Sequence, residues 1–339
     1  MSLLFAITAS ALLGHVSFLS SDLLEGRKTP SRGLDVAAEY IAAHFRGSGL
    51  QPILHGPESD PNAGRNVIAI LRGSDPKLRN SYVMLSAHYD HVGVNPDCTG
   101  DCIYNGANDN ASGVASVLEI AAELAAMKPA PKRSVIFVLF YGEELGLDGS
   151  KFYVSNPAVP LADTVAMLNL EQLGRTDDPR GTQLRRAALT GFAYSEVSSI
   201  LSRTAARLGV EIYDPPKTEE YFERSDNAPL AEAGVPAHTL VVAAEFPDYH
   251  AVTDEWKKLD YANMAVITRA VAAGIVALAN SPTAPKWLTR PGESPEVSGA
   301  EGGSSPAILS PSQPKRSARR PRGSAAARSD NRSSKTSAP

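Results

Sequence analysis

The chain has 339 residues, 43% of them hydrophobic and 21% charged, with a formal net charge of −4. Such a composition can bury a substantial core, although length alone leaves one large domain or two smaller ones open. The two cysteines exclude a zinc site built from thiolates alone, and no stretch reads as long enough to cross a membrane as a helix.

The N-terminal stretch MSLLFAITASALLGHVSFLSSD contains an apolar run without a basic segment ahead of it, which argues against a secretion signal. Leu12, Leu13, Val16 and Leu19 keep a helical period instead, so a helix is expected there. A longer precursor would reopen the question of a leader. A helix at 34–45 then precedes strand-like runs at 66–71 and 82–87. The second run ends in SAHYDH, which puts His88 at a strand terminus with Asp90 near enough to orient its imidazole. Taken alone, His88 also reads as a hydrogen-bonded structural histidine, and that is the expected role of His91 beside it. The loop NPDCTGDCIY holds Cys98 and Cys102. A disulfide closing this loop fits an oxidising compartment; two reduced, unconnected thiols are the alternative.

In YNGANDNASG, Gly106 and Gly113 bracket Asp109, and Val114, Val117, Leu118, Ala121 and Leu124 set a helical period over 112–127. Asp109 in isolation would pass for a turn or helix-capping residue. The next run, SVIFVLFYGEELGLDGS, is a strand over 135–141 that leads straight into Glu143 and Glu144. Adjacent carboxylates at the end of a buried strand lose hydration and repel unless a cation or a shared proton compensates them. A metal ion is the simplest compensation: one glutamate ligates it while its neighbour handles a proton of the attacking water. A solvated surface pair is the bland alternative, and the apolar run before the pair argues against it.

A strand over 164–170 ends at Glu171, whose competing role is an ion pair with Arg175. A short strand at 187–190, a helix at 194–208 and a strand over 237–242 follow, the last leading to His250 in EFPDYHAVTDE; His250 alone would pass for a loop histidine. A helix at 261–280 closes the pattern. From 281 to 339 the chain is rich in Pro, Ser, Ala and Arg without apolar period and reads as a disordered tail. This tail holds 10 basic and 4 acidic residues. Its run PKRSARRPRG suits an anionic surface, but without stacking aromatics a solvated tail is preferred and no nucleic-acid partner is expected.

Strands alternating with helices over 1–280 describe one domain, an α/β sandwich around a mostly parallel sheet. In such a sheet the ligand crevice lies outside the carboxyl ends of the strands. His88, Glu144, Glu171 and His250 all follow strands, and with Asp109 they make two histidines and three carboxylates. That set fits two metals, each with one histidine, one terminal carboxylate and a share of a bridging carboxylate.

The segments SAHYDH, NGANDNASG, FYGEELGLDGS, NLEQLGR and PDYHAVTDE, in this order, resemble the di-zinc aminopeptidase family of Zn-dependent exopeptidases, which also contains glutamate carboxypeptidases and glutaminyl cyclases. The likeness spans residues 15–279 and includes HVSFLSSDLLEGR. It implies a three-layer α/β/α sandwich around a mixed, mostly parallel sheet, and two zinc ions per chain. It further implies that Asp109 bridges both ions, that Glu144 and His250 complete one site and His88 and Glu171 the other, and that Glu143 is the general base. The activity implied is that of an aminopeptidase removing an apolar N-terminal residue from a peptide substrate, in a secreted or cell-envelope setting. Glu171 stands where the family often has aspartate, and Asn108 and Asn110 flank Asp109 where other members carry more acid. A one-zinc glutaminyl cyclase, a carboxypeptidase and a non-catalytic binding ectodomain are the rival readings. Arg224, in YFERSDNAPL, is the candidate for gripping a carboxylate, against a role in a surface salt bridge. Tyr221, Phe222, Phe246 and Tyr249 are candidates for an apolar pocket or for ordinary core positions. Oligomeric state is not readable from the chain.

Overall fold

Along 134–140 the side chains alternate between two apolar environments. Val135, Phe137 and Leu139 point into one hydrophobic cluster and Ile136, Val138 and Phe140 into another, and all six are fully buried. A strand buried on both faces lies at the centre of a covered sheet. The computed structural model describes residues 6–60, 63–215 and 218–291. Its main sheet contains β1 (Pro52–His55), β2 (Asn66–Leu71), β3 (Tyr82–His88), β4 (Ser134–Phe140), β5 (Thr164–Glu171), β6 (Arg186–Leu189), β7 (Glu211–Tyr213) and β8 (Ala237–Val241). Their spatial order is β1-β2-β4-β3-β5-β8-β6-β7. The central four, β4-β3-β5-β8, run parallel. Antiparallel pairs join β1 to β2, β2 to β4 and β6 to β8, while β7 runs parallel to β6.

The helices are α1 (Ala9–Leu19), α2 (Arg32–Gly47), α3 (Ser112–Ala126), α4 (Asp148–Ser155), α5 (Glu196–Ala206), α6 (Thr218–Phe222), α7 (Asn227–Glu232) and α8 (Tyr261–Asn280). Residues of α1, α2, α3, α5 and α8 share one cluster with one face of the sheet, and residues of α4, α6 and α7 share the other. Polar groups mark the helix starts. Ser31 Oγ accepts the Leu34 amide at 3.1 Å, and Asp260 Oδ1 accepts the Asn263 amide at 2.9 Å. At the start of α3 the backbone approaches its neighbours closely. A Cβ on Gly113 would stand 2.4 Å from Asn110 Oδ1 and 2.5 Å from the Leu170 carbonyl, so only glycine fits.

Three expectations change. The helix at 194–208 starts at Glu196 because Ser195 caps it, its Oγ accepting the Val197 amide at 3.2 Å. One helix, Tyr261–Asn280, is in fact long and apolar enough to span a membrane, but 72% of its apolar window is buried inside the domain, where it packs against α1, α3, α5 and β3. Residues 281–291, expected to begin a disordered tail, instead return along the domain. The Glu196 amide donates to the Lys286 carbonyl at 2.9 Å, and the Trp287 indole donates to Gly234 O at 3.0 Å. The Trp287 anchor and main-chain bonds from Leu288 and Thr289 to the Tyr194 carbonyl hold this stretch without any periodic pattern. The remainder of that expected tail, 292–339, lies outside the described residues. Cys98 and Cys102 form a disulfide, with Cα atoms 5.8 Å apart, at the end of the hairpin made by Gly93–Val94 and Ile103–Tyr104.

Candidate metal centre

The parallel central strands end side by side, and their ends carry the chemistry. His88 is the last residue of β3 and Glu171 the last of β5. From β4 the chain passes through Gly142, at φ 66°, to Glu143 and Glu144. His250 sits on the loop beyond β8 at φ 50°, and Asp109 on the segment that enters α3.

These side chains meet. His88 Nε2 lies 3.3 Å from Asp109 Oδ1, and His250 Nε2 lies 3.2 Å from Asp109 Oδ2. Each oxygen of one carboxylate therefore faces a different histidine. His250 Nε2 is also 3.1 Å from Glu144 Oε2. Ligand atoms of His91, Asp109, Glu144 and His250 fall within 4.8 Å of one another, as do those of His88, Glu143 and Glu171. Asp90 stands behind His88: its carbonyl is 3.3 Å and its Oδ1 3.6 Å from Nδ1, and the same Oδ1 accepts the Glu143 amide at 3.2 Å. One buried carboxylate thus orients an imidazole and positions the neighbouring acid.

A polar scaffold surrounds this cluster. Asp254 accepts the amides of Asn108 and Asp109, each at 3.0 Å. Asn108 Oδ1 accepts the amides of Gly174 at 2.8 Å and Arg175 at 3.0 Å, while Asn110 bonds to Gly113 N, Gln172 N and Leu170 O. The two asparagines beside Asp109 therefore join its segment to the chain leaving β5. Glu171 Oε1 accepts from Asn169 Nδ2 at 3.3 Å and from Ser225 Oγ. Arg175 does not pair with Glu171; it binds Asp177 and Asp248, both at 2.5 Å, and so anchors the loop of His250. Arg27, 1% exposed, donates to the carbonyls of Tyr89 at 2.9 Å, Asn105 at 2.9 Å and Gly106 at 3.0 Å, and to Leu19 O. It ties together the loops that follow His88 and precede Asp109.

Burial pushes the Glu143 carboxyl well above its ordinary range; His88 pulls against the rise, and Glu171, Asp226 and Glu144 add to it. Burial likewise opposes ionisation of Asp109, but hydrogen bonds from His250 and His88 outweigh it and hold that carboxyl well below the usual range. Desolvation lowers the Arg27 pKa to about 10 even though Asp90, Asp254, Asp109 and Glu144 favour its charge. A cavity of about 300 Å³ opens from this cluster, bounded at one end by His88, Asp109, Glu143 and Glu171 and elsewhere by residues that include Thr190, Thr239, Val241 and Phe246.

A model of Peptidase family M28 matches residues 66–275. The chain belongs to peptidase family M28. Among curated relatives, leupeptin-inactivating enzyme 1 of Streptomyces exfoliatus is 29% identical over 251 residues, covering 73% of this chain and 51% of that protein. The chain thus spans about half the length of that relative. A probable zinc metalloprotease of Pyrenophora tritici-repentis is 27% identical over 325 residues, covering 80% of this chain and 73% of its own length. Among solved structures, the LapA aminopeptidase of Legionella pneumophila superposes with a TM-score of 0.65 at 19% identity, over 81% of this chain and 73% of that one, a likeness of fold.

Within the M28 domain, all five expected ligands and both Glu143 and Asp90 converge. His91, expected to be structural, bonds Glu144 Oε1 through Nδ1 at 2.8 Å. That bond agrees with a hydrogen-bonded role, although a second histidine three residues after the first carries no signal of which distant residue it would meet. Asp254 lies in the quoted segment HAVTDE and Arg27 in SDLLEGR, yet nothing in either stretch marks them as supports. Of the four aromatic candidates, Tyr221, Phe246 and Tyr249 line the cavity, while Phe222 is buried in the core beside Tyr194 and His238.

Proposed function

We propose that this M28 peptidase is an aminopeptidase using two zinc ions, with Asp109 shared between them, Glu144 and His250 completing one site and His88 and Glu171 the other. The observation that carries this reading is the placement of the two Asp109 oxygens against two different histidines. The donor set fits zinc: imidazole nitrogens and carboxylate oxygens, buried together, whose ion-pair partners among the described residues are histidines rather than lysine or arginine. Zinc there supplies Lewis acidity, polarising the scissile carbonyl and making water a nucleophile at neutral pH.

Glu143 is the general base. It lines the cavity, where it would take a proton from the attacking water and hand it to the leaving amine. Asp90 fixes both His88 and the Glu143 backbone, so the base and a ligand move as one unit. Glu143 and Glu171 also offer negative charge to a free amine at the substrate's N-terminus. The Cys98–Cys102 disulfide supports a secreted or cell-envelope setting.

The test is Glu143→Gln together with a panel of free-amine, N-blocked and C-blocked dipeptides. The variant should keep its zinc while kcat falls by about 10²- to 10⁴-fold, the range of lost general-base catalysis. Wild type should cleave only substrates with a free amine. Full activity in the variant, cleavage of N-blocked peptides, or a pyroglutamate product with one zinc per chain would each overturn the reading.

A further inference from the structure

The geometry points to aspartate or glutamate as the N-terminal residue that the cavity takes, with Arg224 selecting its side-chain carboxylate in place of the purely apolar residue expected from the sequence. The inference rests on the aminopeptidase reading and narrows its substrate. Thr190 and the β8 residues Thr239 and Val241, the last of them paired with Glu171 across the sheet, are small lining residues that leave room for a short aliphatic stem. The wall near Tyr221 is different. Two guanidinium groups approach that ring, Arg180 at 5.9 Å and Arg224 at 5.7 Å from its centre, and all three residues line the cavity.

Their charges are not equally engaged. Arg180 is committed to Asp178 by two hydrogen bonds of 2.6 Å, and Glu245, the acid on the same wall, receives the Tyr221 hydroxyl. Among the described side chains, no carboxylate lies within ion-pair distance of Arg224, whose one described partner is the Tyr221 ring. Arg224 is exposed at the cavity wall, and its fork of N–H donors suits a ligand with a short stem and an anionic end whose two oxygens match it. A lysine side chain would meet like charge, and a leucine side chain would offer the guanidinium no anionic partner. Arg224 lies one residue before Ser225, which bonds Glu171, so selection and the ligand cluster share one short segment.

The experiment uses the zinc-loaded full chain and p-nitroanilides of glutamate, aspartate, leucine and lysine, which have no C-terminal carboxylate. Wild type should show a higher kcat/KM for the glutamyl or aspartyl anilide than for the leucyl one. Arg224→Ala should lower that acidic-to-leucyl ratio by about 10- to 100-fold, the range of one charge-assisted hydrogen bond. Arg224→Glu should shift preference towards lysine. A ratio unmoved by Arg224→Ala, or a leucyl preference in wild type, overturns the inference. So does an arginine effect seen only on dipeptides with a free C-terminal carboxylate, which would assign Arg224 to that carboxylate. If no anilide is turned over, the aminopeptidase reading fails separately, and calorimetry still decides: tighter binding of free glutamate than of leucine, lost in Arg224→Ala, supports the selection, and equal binding refutes it.

Discussion

His238 shows how a single side chain supports the cavity from behind. Its Nδ1 donates to the carbonyl of Thr190, a cavity residue, at 2.9 Å, and its Nε2 accepts from Ser195 Oγ at 2.6 Å, the residue that caps α5. Accepting at Nε2 requires the neutral ring. Burial lowers its pKa from 6.5 to about 4, with the Thr190 hydrogen bond pulling weakly the other way. Between those values the unfolded chain binds a proton that the folded chain refuses, so stability rises with pH across that window and is lost as pH falls from 6.5 towards 4. The loss attributable to this ring is about 3 kcal/mol. Denaturant titrations from pH 7 to pH 4.5 should show His238→Gln losing less stability than wild type over that interval; parallel losses would remove the ring from the account. The proposed ligands His88, Glu144 and Glu171 were legible because each stands at or just past the end of an apolar run, Asp109 because glycines bracket its turn, and His250 only through the resemblance of PDYHAVTDE. The histidine at 91 and the serine at 225 were not, because their roles come from partners that only folding brings near.

At the scale of elements, Arg27 is a joint. It receives no carboxylate and gives its donors to four main-chain carbonyls, at the end of α1, beyond β3 and ahead of Asp109. Arg27→Met would strand those carbonyls, and the expected cost is about 3 to 5 kcal/mol, at the upper end for single substitutions. Equilibrium unfolding in urea measures it; a change under 1 kcal/mol would show that water replaces the guanidinium readily. Long elements were readable from their periods, as the agreement over 66–71 and 261–280 shows. The missed ones are short or carry no period. The strand Pro52–His55 is an edge strand of half-buried and exposed residues, and the helix Asn227–Glu232 has only six residues, one of them proline. The helix Asp148–Ser155 directly follows the Glu143 segment and was absorbed into that motif.

For the whole molecule, the cluster is a concentration of acids that the fold must accommodate. Asp109, Glu143, Glu144 and Glu171 are held close together with His88 and His250 between them. An ion that binds the folded chain alone stabilises it by about 2.7 kcal/mol at a free concentration one hundred times its Kd. Exhaustive chelation should therefore lower the melting temperature by several degrees, and added zinc should restore it; scanning calorimetry on treated and reloaded protein checks this. An unchanged transition would mean that the cluster holds no ion tightly. The groups that assemble here are contributed from residue 88 to residue 250 and from four strand ends, so no shorter stretch of chain contains them all. On the proposed function, a chain still being synthesised would lack the complete set. Any cutting power would then arrive only with the last piece to dock, so that the architecture itself would act as a safety catch.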